Sequence, residues 1–326
     1  MLAILDCDPG NGIAGADIDD GLALGLLLLH DAVELLAVTV VAGNTDVVDG
    51  VRSGLHMLEL AEVDTPLYQG AGRPLVEDPD PWRVALTTGG GRTKAAALWS
   101  DIASPMPKRR RSHGTAADEI CKLVRAYPHE VTIFATGPLT NIALAIEQDA
   151  ELPQLVKQIV VMGGCFGVPE MLQELNFCFD PEAAQAVFAS GAPLVLTPFD
   201  TTRKTLFTLK ENDRLSRSDN PLVKWLSETT EPWIRYMMTR GGSGCSLHDP
   251  FTVAVALDSS FTTCKEVCVG VETTGKLTRG RAVSWNNKDK AVRVGLDLPE
   301  PGPVTVISDV DNDRFIRFLM DTYLDS

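Results

Sequence analysis

Five aspartates lie close together near the start of the chain, in the stretch DCDPGNGIAGADIDD that directly follows the apolar run LAIL. They are Asp6, Asp8, Asp17, Asp19 and Asp20. Carboxylates a few ångströms apart raise one another's pKa values and lose solvation on burial, so a cluster of them favours a bound cation. Calcium and magnesium prefer such oxygen ligands, and the glycines of PGNGIAGA would let the loop fold back around one ion. The alternative is that Asp17 and Asp19 only cap and charge the helix that follows.

Two other stretches carry polar groups that could complete such a site. GCSLHDPF places His248 beside Asp249 before an apolar helical pattern, where one residue can donate a proton and the other can hold a metal. FATGPLTN leads from a strand through Thr136 into a helix, and its loop could offer a backbone carbonyl to the ion. Taken alone, each stretch is also an ordinary helix start.

The elements that position these residues alternate along the chain. Short, continuously apolar runs are typical of strands covered on both faces, and they occur at 2–5, 35–42, 131–136, 159–162 and 193–197. Helical patterns separate them, so the sequence predicts an α/β fold with a mainly parallel sheet and helices on both faces. The aspartates then follow the first strand, at the edge where such sheets bind ligands.

The predicted domain organisation is one domain over residues 1–326. Two segments do not fit the alternating pattern, one around 73–112 that is rich in Pro, Gly and Arg, and one around 199–247. Long insertions at the carboxyl ends of strands usually line a binding crevice, so both are expected to cover the active site.

The composition limits the classes of molecule that the protein is expected to bind. The 29 basic and 44 acidic residues give a net charge of −15, which argues against nucleic acid and anionic membranes and favours a cation. The seven cysteines are scattered without a CxxC pair, which fits a reducing cytoplasm. The start MLAILDCDPG lacks the basic region of a signal peptide.

Together these stretches resemble the inosine-uridine preferring nucleoside hydrolase family. The resemblance lies in DCDPG, DDGLAL, VTVVAGN, VTIFATGPLTNIALA, VVMGG, ELNFCFDPEAA and LHDPFTVAVA, in the family's order over nearly the whole chain. It implies the Rossmann-like α/β nucleoside hydrolase fold, assembly as a homodimer or homotetramer, and one bound Ca²⁺. The implied reaction is hydrolysis of the N-glycosidic bond of a ribonucleoside to ribose and free base, as in nucleoside salvage.

The resemblance also implies roles for individual residues. Asp8 matches the general base that also holds calcium, and His248 matches the general acid for the leaving base. The other calcium ligands match Asp20, Asp249 and the main-chain oxygen of Thr136, and Asp6 matches the residue that orients them from behind. Contacts to the substrate match Asp19, Asn44, Glu174, Asn176, Asp249 and, over the base, Tyr236. Helix packing is an equally simple explanation of Tyr236.

The chain departs from the family pattern in three places. Family members commonly run DxDPGxDDA, whereas NGIAGADI separates Gly10 from Asp19 here. VEDPDPW replaces the segment expected after GAGRPL, so that Trp82 either stacks on a base or packs on its neighbours. CFGVPEMLQ lacks the asparagine that usually contacts the 5′ end of the ribose. The preferred base and the exact sugar therefore stay open.

Two other classes of function are consistent with parts of the sequence. A non-catalytic nucleoside or sugar-binding protein would keep the sugar contacts, but it would not need Asp8 together with His248. A metal-dependent phosphohydrolase with a DxD nucleophile should carry a Thr or Val soon after Asp8, where this chain has Pro9 and Gly10. The hydrolase interpretation accounts for more of the residues.

Overall fold

The computed structural model describes residues 1–78, 96–169, 171–286 and 302–325. The strands are β1 Leu2–Cys7, β2 Glu34–Val40, β3 Leu67–Gln69, β4 Val131–Ala135, β5 Gln158–Met162, β6 Leu194–Thr197, β7 Thr262–Val271, β8 Ala282–Trp285 and β9 Val304–Val310. The first six helices are α1 Asp19–Leu29, α2 Val47–Leu60, α3 Ala116–Ala126, α4 Thr140–Gln148, α5 Leu152–Leu155 and α6 Leu175–Phe179. The remaining helices are α7 Pro181–Ala189, α8 Phe199–Thr202, α9 Leu209–Leu215, α10 Pro221–Thr239, α11 His248–Leu257 and α12 Asn312–Leu324.

The described strands form one nine-stranded sheet in the order β3-β2-β1-β4-β5-β6-β9-β7-β8. The first seven strands in this order pair in parallel, and β7 pairs antiparallel with both β9 and β8. The chain order reverses at β1, which lies between β2 and β4. Open α/β sheets bind ligands at such a reversal, beyond the carboxyl ends of the strands, so the predicted mainly parallel fold is confirmed and Asp6 and Asp8 lie where a ligand is expected.

Apolar side chains alternate between the two faces of the sheet and form two cores. In β1, Leu5 packs into a core shared with α1, α11 and α12, whereas Ile4 packs into a core shared with α3, α4 and α7. In β4, Phe134 belongs to the first core and Ile133 to the second. Because both faces of β1 and β4 are covered, these strands are apolar along almost their whole length, which explains the continuous runs in the sequence.

Helix α1 is buried along most of its length, from Asp19 to Leu27. It packs closely against α11, and α12 also covers it. The residue before its first turn is Ile18, and among the described residues the Asp17 side chain accepts from one backbone N–H, that of Ile18 at 2.8 Å. Asp17 therefore does not cap α1 in the usual way, and its carboxylate is left to the pocket described below.

The two predicted insertions differ in how much of them is described. Residues 79–95, which include Trp82, lie outside the described residues. The segment around 199–247 folds into α8, α9 and α10, and of its residues Phe199 lines the main pocket. None of the helices in the described part of the chain is long and apolar enough to span a membrane.

Candidate active site

A pocket with about 550 Å³ of empty space opens at the carboxyl ends of the central strands. Its apolar walls are Met162, Met171, Leu175 and Phe199. Six carboxylates face it, those of Asp8, Asp17, Asp19, Asp20, Glu174 and Asp249. Lysine and arginine are absent from the described residues that line it, so no basic side chain among these residues pairs with the carboxylates.

Asp8 lies in the turn after β1, enclosed by backbone. Its Oδ2 accepts a hydrogen bond from the backbone N–H of Asn44. A Cβ added to Gly43 would lie 2.0 Å from that Oδ2, and one added to Gly137 would lie 2.9 Å from Oδ1. The turns after β2 and β4 can approach this carboxylate so closely only because they carry glycine.

Asp20, in the first turn of α1, joins the ends of β1 and β4. Its Oδ1 accepts from the backbone N–H of Asp8 at 3.2 Å and from Oγ1 of Thr136 at 2.9 Å. The carbonyl of Thr136 accepts from Nδ2 of Asn176 at 2.7 Å. These bonds bring together four residues that lie far apart in the sequence, and they leave the carbonyl of Thr136 one further lone pair for an ion.

Three of the buried carboxylates are placed to hold a metal. Asp19, Asp20 and Asp249 each offer an oxygen, and these oxygens lie within 4.8 Å of one another. Burial, followed by repulsion from neighbouring aspartates, raises the pKa of both Asp20 and Asp249 well above the ordinary range. A hard divalent cation would relieve both penalties, so the donor set fits one.

This triad differs by one residue from the carboxylates that the sequence predicts as metal ligands. It contains Asp19, a predicted sugar contact, whereas Asp8 is linked to it through its backbone N–H bond to Asp20. Asp8 also contributes to the raised pKa of Asp20 and of Asp249. The charges of four carboxylates thus affect one another, and together they form one carboxylate unit: Asp8, Asp19, Asp20 and Asp249.

Asp6 supports this unit from the end of β1. Its Oδ1 accepts from Oγ1 of Thr39 at 2.6 Å and from Nδ2 of Asn141 at 2.7 Å. Within the described part of the chain, its buried Oδ2 has no hydrogen-bond partner. Burial raises the pKa of Asp6 to about 7, although both hydrogen bonds oppose the shift.

His248 begins α11, and its ring is held from two sides. Nδ1 lies 2.7 Å from Oγ1 of Thr202, and the ring stacks on Phe199 with centroids 5.2 Å apart and planes at 20°. Burial lowers the pKa of His248, and the nearby Asp19 opposes that shift. The bond to Thr202 fixes the ring and leaves Nε2 as the nitrogen that can exchange a proton with a ligand.

Glu174 and Asn176 line the pocket beyond β5. Glu174 caps the short helix α6, since its carboxylate accepts from the backbone N–H groups of Asn176 at 2.7 Å, Phe177 at 3.2 Å and Gly164 at 2.8 Å. Burial raises the pKa of Glu174, and these backbone bonds oppose the shift. Both predicted sugar contacts are therefore held rigidly at this end of the pocket.

Asn44 lies at the opposite end, after β2, and its amide is paired with the inserted loop. Its Oδ1 accepts from the backbone N–H of Asp17, and its Nδ2 donates to the carbonyl of Asp17, both at 3.0 Å. Asp17 itself lines the pocket, and sequence reasoning did not place it among the site residues. The sequence feature that could have identified Asp17 as a pocket residue was its position in the insertion, two residues before Asp19.

The sequence profile of the inosine-uridine preferring nucleoside hydrolases matches residues 3–317. The chain belongs to this family. As a nucleoside hydrolase, it is an enzyme that acts on N-glycosyl compounds. The pyrimidine-specific ribonucleoside hydrolase RihA of Citrobacter koseri is 33% identical over 97% of this chain and 96% of its own. An uncharacterised protein of Schizosaccharomyces pombe is 35% identical over 98% of each chain.

Solved nucleoside hydrolase structures share the fold over the whole chain. A plant nucleoside hydrolase aligns with a TM-score of 0.84 at 28% identity, covering 100% of this chain and 99% of its own. The purine-preferring ribonucleoside hydrolase of Gardnerella vaginalis aligns with a TM-score of 0.82 at 28% identity, covering 100% and 98%. These relatives differ in the base they are named for, so kinship alone leaves the base preference of this nucleoside hydrolase undecided.

Tyr236 is not among the described residues that line the pocket of this nucleoside hydrolase. It lies on α10, where its ring packs 5.5 Å from that of Trp233 and beneath the guanidinium of Arg240 at 5.7 Å. Its predicted contact with the base stays a prediction, as does the stacking of Trp82.

Proposed function

We propose that this enzyme hydrolyses ribonucleosides to ribose and free base in a calcium-dependent reaction, with Asp8 as general base and His248 as general acid. The observation that carries the proposal is that a buried carboxylate unit and a fixed histidine line the same pocket. An oxocarbenium-like transition state is favoured by nearby negative charge, and its leaving group by a proton donor.

Asp8, Asp20, Asp249 and the carbonyl of Thr136 would hold the calcium ion. When bound, calcium would supply positive charge that orients the ribose hydroxyls and the attacking water. Support for these ligands comes from the raised pKa values of Asp20 and Asp249, which mark an uncompensated acidic site. Asp6 would orient Asp8 and the strand ends from behind, as a positioning residue.

Asp8 would take the proton of the attacking water as the water oxygen bonds to C1′ of the ribose. The N–H bond from Asn44 and the enclosing glycine turns hold its carboxylate in one orientation for this transfer. The bond between C1′ and the base nitrogen breaks, and Nε2 of His248 would give its proton to the departing base. A positioned acid or base of this kind is typically worth about 10²- to 10⁴-fold in rate.

Other pocket residues would bind the sugar. Asp19 is held by two backbone N–H groups, those of His248 at 2.8 Å and Asp249 at 3.1 Å, and would accept a hydrogen bond from a ribose hydroxyl. Glu174, Asn176 and Asn44 would contact the sugar from the two ends of the pocket. The segments around 73–112 and 199–247 would cover the bound nucleoside.

The assembly and location are part of the same proposal. Family resemblance supports a homodimer or homotetramer, which the molar mass in solution would test. The scattered cysteines support a reducing, cytoplasmic location. The acidic net charge supports a small-molecule nucleoside rather than nucleic acid as the partner.

The test is release of reducing sugar from a panel of purine and pyrimidine ribonucleosides, with calcium present and with a chelator. We expect chelation to abolish release, and Asp8→Ala to lower kcat by about 10²-fold or more. Asp31→Asn is the matched control, because it removes one carboxylate from an exposed turn outside the pocket. Unchanged turnover in Asp8→Ala would contradict the assigned base. Absence of release from every nucleoside, with calcium still bound, would mean that the enzyme acts on another ribosyl compound.

A further inference from the structure

The ring of His248 is supported by the short helix α8, which follows β6. Phe199, the first residue of α8, stacks on the ring, and Thr202, its last residue, lies 2.7 Å from Nδ1. The helix has 4 residues, and a single turn gains little stability from its own hydrogen bonds. Contacts outside the helix must therefore fix its position, and with it the position of the ring.

Asp200 provides such a contact, to the loop that follows β5. Its Oδ2 accepts from the backbone N–H of Phe166 at 2.9 Å, and its Oδ1 accepts from that of Gly167 at 2.8 Å. Beside it, the backbone N–H of Phe199 donates to the carbonyl of Gly164 at 2.9 Å. Hydrogen bonds to a carboxylate are stronger than neutral ones, and a pair of them fixes orientation as well as distance.

The loop after β5 is itself held from its other side. Arg281, just before β8, donates from Nη2 to the carbonyl of Phe166 at 2.7 Å and from Nη1 to that of Leu172 at 3.4 Å. Phe166 is thus bonded through both its N–H and its carbonyl group. The loop is therefore a fixed support for Asp200, and it also contributes Met171 to the pocket wall.

Helix α8 and the backbone of His248 have separate attachments. Oγ1 of Thr201 donates to the carbonyl of Ile307 in β9 at 2.9 Å, which ties α8 to the sheet. The backbone N–H of His248 donates to Oδ2 of Asp19 at 2.8 Å, which ties the start of α11 to the carboxylate unit. Loss of the Asp200 bonds would free the first turn of α8 from the loop and leave these two attachments in place. The ring would then move with α8 relative to the carboxylate unit.

We propose that Asp200 is a positioning residue for the proton donor: by fixing α8 to the loop after β5, it sets the direction in which Nε2 of His248 points. This inference rests on the proposed role of His248 as general acid and adds a residue through which that role is maintained. Asp200 is not among the described residues that line the pocket, so it would act through His248 rather than on the substrate. A misplacement of about 1 Å can cost roughly 10²-fold in rate.

Two substrates separate proton donation from the rest of the reaction. A ribonucleoside needs a proton on its departing base, whereas a nitrophenyl riboside releases a phenolate that needs none. We would measure kcat for both with wild type, Asp200→Ala, Asp200→Asn, His248→Ala and the double variant Asp200→Ala, His248→Ala. Lys204→Ala is the control, because it breaks an exposed ion pair to Asp309 just after α8, where Nζ and Oδ1 lie 2.8 Å apart. Each ratio of the two rates comes from one enzyme preparation, so differences in folded fraction cancel.

Asp200→Ala should lower the ratio of nucleoside to nitrophenyl riboside turnover about 10-fold or more, and Lys204→Ala should leave it unchanged. Asp200→Asn, which keeps one acceptor oxygen, should lower it less. In the His248→Ala background, Asp200→Ala should cause no further decrease of this ratio, because the two substitutions act through one group.

An unchanged ratio in Asp200→Ala, or a full further decrease of it in the double variant, would overturn the inference and leave the hydrolase intact. Equal losses on both substrates in His248→Ala would overturn the role of the proton donor, and this inference with it. Failure of wild type to hydrolyse any ribonucleoside would instead overturn the proposed function as a whole.

Discussion

Asp19 links the two sequence regions that carry the chemistry. Its Oδ2 accepts from the backbone N–H groups of both His248 and Asp249, so the first turn of α1 and the first turn of α11 share one carboxylate. Negative charge is favourable at a helix N-terminus, and here one side chain serves two of them. Any displacement of Asp19 would therefore move the proposed proton donor and a metal-site carboxylate together.

Replacement of His248 should affect substrates according to their leaving groups. We expect His248→Ala to lower kcat for nucleosides by about 10²- to 10⁴-fold, because the departing base needs a proton. A nitrophenyl riboside, whose phenolate leaves without protonation, should be hydrolysed at a rate close to that of wild type. The measurement is kcat for both substrates at saturating calcium.

Thr202→Val gives a milder version of the same experiment. It removes the hydroxyl 2.7 Å from Nδ1 but leaves the ring and its stacking on Phe199. The decrease of kcat in this variant should also be confined to the nucleoside substrates. Equal losses on both substrates in either variant would mean that His248 only shapes the pocket.

At the level of elements, the turns after β2 and β4 enclose Asp8. Gly43→Ala would place a Cβ 2.0 Å from Oδ2 of Asp8 and 2.6 Å from Cδ of Pro138. We expect the carboxylate to be displaced, the calcium dissociation constant to rise about 10-fold or more, and the free energy of unfolding to fall by about 1–3 kcal/mol. Calorimetric calcium titration and denaturant unfolding would measure the two effects.

Gly302→Ala is the control for the glycine substitution. A Cβ at that position would meet no atom of the described residues within 4 Å. Calcium affinity should stay at the wild-type value in this variant. If Gly43→Ala also bound calcium as wild type does, the enclosed position of Asp8 would not matter for the ion.

The strands and the main carboxylates could be predicted because their signals are local. A strand buried on both faces must be apolar throughout, so β1, β4 and β5 are visible as short runs. The antiparallel pair of β7 and β9 was not predicted, because β7 carries four consecutive exposed residues near its start and finds this partner about forty residues later along the chain. Non-local pairing leaves no such local pattern.

The role of the inserted loop was equally invisible in the sequence. Asp17 resembles a helix cap when only its neighbours are considered, yet Asn44 on another turn fixes its backbone. Likewise, Tyr236 matches a base-covering aromatic by position, whereas α10 packs it against Trp233. The contact that fixes Asp17 joins two turns that the sequence does not pair, whereas the contact between Trp233 and Tyr236 lies within one helix.

At the scale of the whole molecule, α1 carries two carboxylates into an otherwise apolar core. The helix is buried from Asp19 to Leu27 between the sheet and the helices α11 and α12, so its charged first turn has little access to solvent. Without a cation, burial and mutual repulsion disfavour the ionised form of several carboxylates that the fold must hold. Metal binding and stability of the fold are therefore coupled.

This coupling predicts that calcium stabilises the protein more at high pH than at low pH. Burial raises the pKa of Asp6 to about 7 from 3.8, and that of Asp20 and Asp249 well above the same reference. The metal-free folded state thus binds more protons than the unfolded state, and its stability falls as the pH rises from about 4 through the folded pKa values. Over the same pH range the carboxylates that would bind calcium lose their protons, so calcium binding strengthens.

Thermal unfolding with calcium and with a chelator, from pH 5 to pH 8, would measure the effect. At a free calcium concentration 100 times the dissociation constant, the expected stabilisation is about 2.7 kcal/mol at pH 8, or several degrees in Tm, and it should shrink towards pH 5. In the double variant Asp20→Asn, Asp249→Asn, calcium should no longer stabilise the protein. The stability of the metal-free protein should also depend less on pH than that of wild type. A calcium increment that is the same at pH 5 and pH 8 would mean that the ion binds elsewhere, because only the buried carboxylates link its affinity to proton release over this range.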